Sequence, residues 1–306
     1  MSAVPLVLDI KGNALDDGPG IRSVVFFKGC PLSCKWCHNP EGMSGQVEIS
    51  YDRAQCVGAR ACIDVCPEGA LSEQNPLFID RGKCTLCFKC VDACPSAALS
   101  RVGEEISVTE AFNKLMRYKP FYDSSGGGVT LSGGEPTMHM EYASELLQKL
   151  KLAGVHTLLE TCGLFPYESF MAHLYPYLDM IYFDIKIFDR DDHYRICGAR
   201  NDVIRENFSR LQAQYARGGV EILAITPLVP GMTSDAGNME SIARFLKGEN
   251  VTRARLMHYN PLWQDKCLRL GKPDKLPDEG RLRQWMPRRE VLQCEAIFRA
   301  HGLTLV

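Results

Sequence analysis

Six short runs rich in apolar and β-branched residues recur along the chain, and amphipathic stretches separate them. The runs are SVVFFKG (23–29), GVTLSGG (128–134), VHTLLET (155–161), DMIYFDIK (179–186), VEILAITPL (220–228) and RARLMHY (253–259). Between them lie MEYASELLQKLKLAG (140–154), IRENFSRLQAQYARGG (204–219) and SVTEAFNKLM (107–116), the last opening on a capping-box pair, Ser107 and Glu110. Apolar strands alternating with helices indicate a parallel sheet built from βα crossovers. The fold class is therefore α/β. Six units predict a partial (β/α)6 barrel, with an open doubly wound sheet as the alternative.

Polar motifs stand where these strands end. Strand one runs into Cys30, strand two into Gly133-Gly134-Glu135-Pro136, and strand three into Glu160-Thr161-Cys162-Gly163. Strand four ends in Asp184-Ile185-Lys186, strand five at Pro230-Gly231, and strand six at His258-Tyr259-Asn260. In barrels and open sheets alike, that rim is where active sites are built. Alternation along strand four puts Asp184 and Lys186 on one face. A plain ion pair at a strand end is the simpler account of those two, and a simple turn is the simpler account of GGEP.

Cysteine is the compositional anomaly. Of 14 cysteines, ten fall between Cys30 and Cys94. Nothing points to secretion: the start, MSAVPLVLDIKG, lacks the basic n-region and the length of a signal peptide. No apolar run approaches the ~20 residues that span a bilayer. A net charge of −2 leaves no electrostatic footprint for nucleic acid or an anionic membrane. The expected location is cytoplasmic, where clustered cysteines are metal ligands rather than disulfides. A chain of 306 residues with 45% hydrophobic content buries a core without such staples.

The cysteines also repeat. CVGARACIDVCPEGAL (56–71) and CTLCFKCVDACPSAAL (84–99) superpose at an offset of 28. The second copy is a complete C-x2-C-x2-C-x3-C-P, the bacterial two-cluster ferredoxin run, in which the fourth cysteine ligates the other cluster. One cluster then takes Cys84, Cys87, Cys90 and Cys66. The other takes Cys56, Cys62 and Cys94 and is one ligand short, because Ala59 stands where Cys87 stands in the second copy. That second insert cluster is either 3Fe-4S, or 4Fe-4S completed by water or a further side chain. Residues 48–100 are thus expected to form a small ferredoxin-like insert, with 1–47 and 101–306 making the barrel.

Cys30, Cys34 and Cys37 form a third group with no fourth cysteine nearby. A four-iron cluster on three thiolates keeps one iron open to a substrate, as a catalytic zinc keeps a position free. Cys30-x3-Cys34-x2-Cys37, with Trp36 before the third cysteine, resembles the signature of the radical S-adenosylmethionine (SAM) superfamily. The wider string DDGPGIRSVVFFKGCPLSCKWCHNPEG (16–42) resembles the glycyl-radical-enzyme activating enzymes, the group that includes pyruvate formate-lyase activase. Within that group, a ferredoxin insert after the signature is similar to the activases of other glycyl radical lyases and decarboxylases.

The resemblance implies a function. One electron enters the SAM-bound cluster and cleaves the sulfonium, and the 5′-deoxyadenosyl radical takes hydrogen from a glycine Cα of a large partner enzyme. The implied cofactors are SAM, the open-iron 4Fe-4S cluster, the two insert clusters and a monovalent cation near Asp184. Flavodoxin or ferredoxin is the implied electron donor. Catalytic roles fall on Cys30, Cys34, Cys37 and Lys186. Cofactor contacts fall on Trp36, Cys37, His38, Gly133, Gly134, Glu135, Glu160, Asp184, Ile185 and Lys186, with Glu135 accepting from the SAM amino group. Trp36 either packs on the cofactor or shields the cluster. Asp17, Gly18, Pro19, Gly20 and Arg22 match a structural opening loop. Two departures affect the far strands: an arginine common near Ile225 is missing, and Asn260 stands where the pattern carries a histidine, with His258 two residues earlier. Cys162, Cys197, Cys267 and Cys294 read as packing residues, Cys162 being the best placed to reach the site.

Overall fold

The computed structural model describes residues 4–273 and 280–306. Its strands are β1 (Leu6–Ala14), β2 (Arg22–Phe27), β3 (Glu48–Tyr51), β4 (Leu99–Val102), β5 (Glu104–Glu105), β6 (Gly128–Gly133), β7 (His156–Thr161), β8 (Met180–Asp184), β9 (Glu221–Pro227), β10 (Arg253–Met257) and β11 (Thr304–Leu305). Its helices are α1 (Ala61–Asp64), α2 (Lys89–Asp92), α3 (Val108–Met116), α4 (Lys119–Ser125), α5 (Met140–Leu152), α6 (Tyr167–His173), α7 (Arg190–Cys197), α8 (Asp202–Tyr215), α9 (Ala236–Gly248), α10 (Trp263–Arg269) and α11 (Arg288–Ala300). Among the described residues no helix is long and apolar enough to cross a membrane.

All six apolar runs are strands of one sheet, and they are neighbours in chain order: β2, β6, β7, β8, β9, β10. Each adjacent pair is parallel. A doubly wound sheet reverses its order at a switch point; this one does not, which rules out the open doubly wound alternative. The sheet continues past β2 through β1 and β5, both antiparallel, and past β10 through the parallel β11. Those three additions were not expected from the sequence. From Leu8 to Asn13 half-buried and exposed residues alternate, so β1 lacks the apolar run that marks the six central strands.

The two faces of the sheet do different work. Leu131, Leu159, Ile181, Phe183 and Ala224 pack outward against Leu146, Phe208, Ile242 and Phe298 of the helical layer. Their neighbours in sequence, Leu158, Tyr182, Leu223 and Ile225, form a separate cluster on the concave face. Helix α3 starts at the expected cap, where Ser107 Oγ accepts from Glu110 N at 3.2 Å. Only half of the capping box forms, because the Glu110 carboxylate turns to Lys114 at 3.1 Å.

The concave face is floored by the loop before β2. Thr130 Oγ1 donates to the Asp17 carbonyl at 2.7 Å, and Arg255 on β10 donates to that of Asp16 at 2.9 Å. Gly20 has φ +69°, and a Cβ there would meet Gly127 N at 2.4 Å, so only glycine fits this crossing. Arg22, fully buried, donates to Thr130 Oγ1 at 2.7 Å, to the Val129 carbonyl at 2.8 Å and to that of Pro19 at 3.1 Å.

Residues 48–102 stand apart as a smaller unit. Antiparallel β3 and β4 cover a cluster of Ile49, Ala70, Leu71, Phe78, Ile79, Cys90 and Leu99. The ladder pairs Glu48 with Val102 at one end and Tyr51 with Leu99 at the other. The offset of 28 reappears in three dimensions: α1 and α2 are equivalent four-residue helices, each preceded by a non-glycine residue in the left-handed region, Arg60 and Phe88. Ion pairs bind the unit to the rest of the chain: Glu48 to Lys28 and Lys272, both at 2.6 Å, and Asp52 to Arg269 at 3.0 Å.

Replacing Arg22 with Met keeps most of the bulk but strands the buried partners of the guanidinium. The metal-free protein is expected to lose about 2–4 kcal/mol, read from the denaturant midpoint.

Candidate active site at the strand C-termini

The loop from Gly29 to Met43 is closed on itself and then clamped to the end of β6. Gly29 N donates to the Gly42 carbonyl at 2.7 Å, and Cys30 N to that of Met43 at 3.2 Å. Gly134 N donates to the Phe27 carbonyl at 2.8 Å, and Glu135 N to that of Gly29 at 2.7 Å. A Cβ on Gly134 would lie 2.1 Å from Gly29 O and 2.6 Å from Gly42 O, so a side chain there would push the two segments apart. Lys28, with no exposed surface, sits inside the loop and donates to the carbonyls of Glu41 at 2.8 Å and Ser44 at 3.0 Å. On the other side, Ser33 N and Lys35 N donate to the Cys197 and Ile196 carbonyls at the end of α7.

This loop roofs a cavity over the concave face, about 1100 Å3 including its open mouth. Of the sequence-predicted residues, Cys30, Cys34, Trp36, Cys37, His38, Gly133, Gly134, Glu160, Asp184, Lys186 and His258 line it. Ser132, Thr161, Cys162, Tyr182, Ile225, Met257 and Tyr259 join them. Ser132 follows from period-2 alternation along β6, two residues after inward-facing Thr130; Tyr182 stands in the same relation to Asp184.

Lys186 and Asp184 form an ion pair at this wall. Burial alone would discourage the ammonium, but Asp184 and the sulfurs of Cys34 and Cys162 hold it well above the usual lysine range. Lys186 thus stays an ammonium facing the cysteines, with its charge balanced by Asp184. Backbone N–H groups of Leu32 and Asn39 also point at Cys30 and Cys37. Without a metal, burial pushes the Cys37 thiol up to about 12. The donor set suits a soft, anionic iron–sulfur group: three thiols, two amides aimed at sulfur and one cation. Among the described residues no three His, Cys, Asp or Glu side chains form a ready single-ion site.

Burial lowers His38 to about 4, with Lys266 adding to the effect, so its ring is neutral. It meets Tyr259 edge-on at 5.9 Å. Burial raises Glu160 to about 7; the Ser132 hydroxyl, 2.5 Å away, opposes the rise while Asp17 and Asp184 add to it. Trp36 is 4% exposed and belongs to the main core as well as to the cavity wall.

Three predicted contacts lie elsewhere. The Glu135 carboxylate, 0% exposed, is turned away from the cavity and filled by protein donors: Thr137 N and Oγ1, Thr161 Oγ1 at 2.9 Å and Cys162 N at 2.7 Å. A carboxylate so engaged is a brace between β6 and β7, and the cavity receives the backbone of Gly133 and Gly134 instead. Ile185 points outward into the core, as alternation between Asp184 and Lys186 requires, and Thr226 Oγ1 donates to its carbonyl. Asn260 Oδ1 accepts from Leu262 N at 3.0 Å and turns the chain toward α10. Opposite Ile225, in register on β10, stands Arg255, which hydrogen-bonds Tyr182 and faces Glu160. A cation therefore does reach this part of the concave face, from the neighbouring strand.

In the smaller unit, Cys66, Cys84, Cys87 and Cys90 line one small cavity. Cys56 and Cys62 line another, together with Tyr51, Glu73 and Asn75. Cys94 lies close enough to Cys62 to raise its pKa after burial has done so.

Residues 24–245 match the radical SAM superfamily. The chain is 38% identical over 272 residues to the trans-4-hydroxy-L-proline dehydratase activating enzyme of Clostridioides difficile, covering 88% of each. It is 36% identical over 274 residues to the choline trimethylamine-lyase activating enzyme of Oleidesulfovibrio alaskensis, covering 87% of each. A radical SAM methyltransferase from Sphaerobacter thermophilus shares the fold at a TM-score of 0.55 and 13% identity, over 99% of this chain and 76% of that one.

Two outcomes follow from the geometry. Gly134→Ala is expected to displace the cysteine loop and lower SAM cleavage about a hundredfold, measured as methionine release. Because folded Glu160 keeps its proton from its ordinary 4.5 up to about 7, its contribution to stability is present at low pH and is lost as pH rises through that interval. Glu160→Gln should flatten that slope in thermal melts of the metal-free protein.

Proposed function

Since the chain belongs to the radical SAM superfamily, and within it to the activating enzymes of glycyl radical enzymes, we propose that it activates a large partner enzyme by removing hydrogen from the Cα of one glycine. It is an oxidoreductase. The observation that carries the site assignment is the convergence of Cys30, Cys34 and Cys37 with Gly133, Gly134 and the Asp184–Lys186 pair on one cavity at the strand C-termini. When bound on the three cysteines, a 4Fe-4S cluster with one open iron supplies the electron that cleaves SAM, and the radical so released takes the glycine hydrogen.

The residues of this chain bind, orient and exclude water. Cys30, Cys34 and Cys37 hold the cluster, and Lys186 offsets its negative charge from the cavity wall. The exposed backbone of Gly133 and Gly134 is the surface for the polar end of SAM, while Trp36, His38 and Tyr259 close the side toward the core. Glu160 and Asp184 are the carboxylates available to a monovalent cation. His258, exposed at the rim, is placed to meet the adenosine portion or the entering loop. The partner's glycine segment enters extended through the open mouth.

Residues 48–100 are read as a ferredoxin-like insert. Grouping of Cys66 with Cys84, Cys87 and Cys90 around one cavity supports a 4Fe-4S cluster there. Cys56, Cys62 and Cys94 serve the second insert cluster, which is one cysteine short. Clusters held by these cysteines would supply one-electron relay chemistry, with flavodoxin or ferredoxin as the donor that the reading implies.

The test is anaerobic incubation of the reconstituted protein with SAM, a reductant and a peptide of a partner's glycine loop deuterated at Cα. Deuterium is expected in 5′-deoxyadenosine, with methionine release; Cys37→Ala should abolish both. Methionine release without transfer of the label would overturn the activase reading.

A further inference from the structure

Two cysteines outside the predicted ligand set touch two of the predicted ligands. The thiol of Cys162 lies against that of Cys30, and the thiol of Cys197 against that of Cys34, each pair near enough for one sulfur to share its proton with the other. The contacts come from different elements, the end of β7 and the end of α7, and both extra cysteines are buried, at 6% and 0% exposure. Cys294, also buried, is employed differently: its thiol donates to the Ser234 carbonyl at 3.6 Å, beside α9.

Each contact is built rather than incidental. The Glu135 carboxylate holds Cys162 N at 2.7 Å, while Glu135 N holds the carbonyl of Gly29, the residue before Cys30. One residue therefore fixes both members of the Cys30–Cys162 pair. Across the loop, the Cys197 carbonyl takes Ser33 N at 2.8 Å, the residue before Cys34. A Cβ on Gly198 would lie 2.2 Å from Ser33 Oγ, so the chain after Cys197 is pressed against the same loop. When Cys30 and Cys34 bind iron they do so as thiolates and can only accept. The thiols of Cys162 and Cys197 are then the donors.

We propose that Cys162 and Cys197 are positioning residues that each donate an S–H hydrogen bond to a ligand sulfur of the SAM-cleaving cluster, and so set its reduction potential. This rests on the assignment of that cluster to Cys30, Cys34 and Cys37. Hydrogen bonds to cluster sulfurs are among the levers that fix iron–sulfur potentials, and they favour the reduced, more negative form. The third ligand, Cys37, has no such thiol partner in these contacts, only the Asn39 amide. The two donors therefore act on the side of the cluster toward β7 and α7.

The experiment is an EPR-monitored redox titration of the reconstituted holoenzyme, following the signal that changes on addition of SAM. Cys162→Ala and Cys197→Ala should each move that midpoint to more negative potential with iron and sulfide content unchanged. Cys162→Ser and Cys197→Ser, which restore an O–H donor, should recover part of the shift. Should the alanine variants fail to hold the cluster, pulsed ENDOR of the wild-type holoenzyme in H2O and D2O gives the same answer. Exchangeable protons coupled to the cluster beyond those of the Leu32 and Asn39 amides and the Lys186 ammonium support the thiol donors, and none beyond them overturns the proposal. A SAM-responsive signal with an unmoved midpoint in both alanine variants overturns it too, leaving the cluster assignment intact. If no signal responds to SAM, the assignment falls and this proposal with it.

Discussion

The rim depends on a backbone crossing with no room for side chains. Gly29, Gly42 and Gly134 meet within a few ångströms, and the amides of residues 134 and 135 bond the carbonyls of 27 and 29. A parallel pair such as β2 and β6 ordinarily ends with its carbonyls pointing at solvent. Here the last of them are taken by the turn that follows β6. The three-cysteine loop is thereby fixed to the sheet rather than only tethered to it. Functional loops work best when a rigid scaffold holds them.

Charge is used at this rim in an unusual manner for an interior. Lys28, Arg22 and Glu135 are all without exposed surface. Each is fully employed by protein partners, Lys28 by two carbonyls and the Glu48 carboxylate, the condition under which burial of such groups is tolerated. None of the three faces the cavity. They brace the loop, the floor and the β6–β7 junction respectively. Asp184 and Lys186 do face it, and their mutual contact leaves the wall with a cation poised toward sulfur. Brace and reagent are therefore different residues, even where the motif places them side by side.

The sheet was legible because its signal is local. Six apolar runs, each ending in a polar motif, needed no knowledge of what lay beside them. The edge strands carried no such run and were missed: β1 alternates, while β5 and β11 are two residues each. In the site, the position of the cysteine loop, GG and D-x-K at the strand ends was readable from the order of runs and motifs, whereas their assignment to a cofactor came from the family resemblance. Glu135 was assigned to the cavity because adjacency in a motif says nothing about which way a carboxylate turns when four donors stand on the other side. Cys197 lies 163 positions beyond Cys34, and only the packing of α7 on the loop brings them together. Arg255 escaped for the same reason, since its relation to Ile225 is one of sheet register, not of sequence.

Arg255 and Asp16 are separated by 239 positions, and their hydrogen bond joins the last central strand to the loop before the first. Contacts of such long range form late, because the entropy of closing the intervening chain must be met before they return anything. Synthesis runs from the N-terminus, so the cysteine loop leaves the ribosome some two hundred residues ahead of the strand that locks the floor beneath it. The cysteine loop is thus made early and waits through most of the translation of the protein for the strand that completes its chamber.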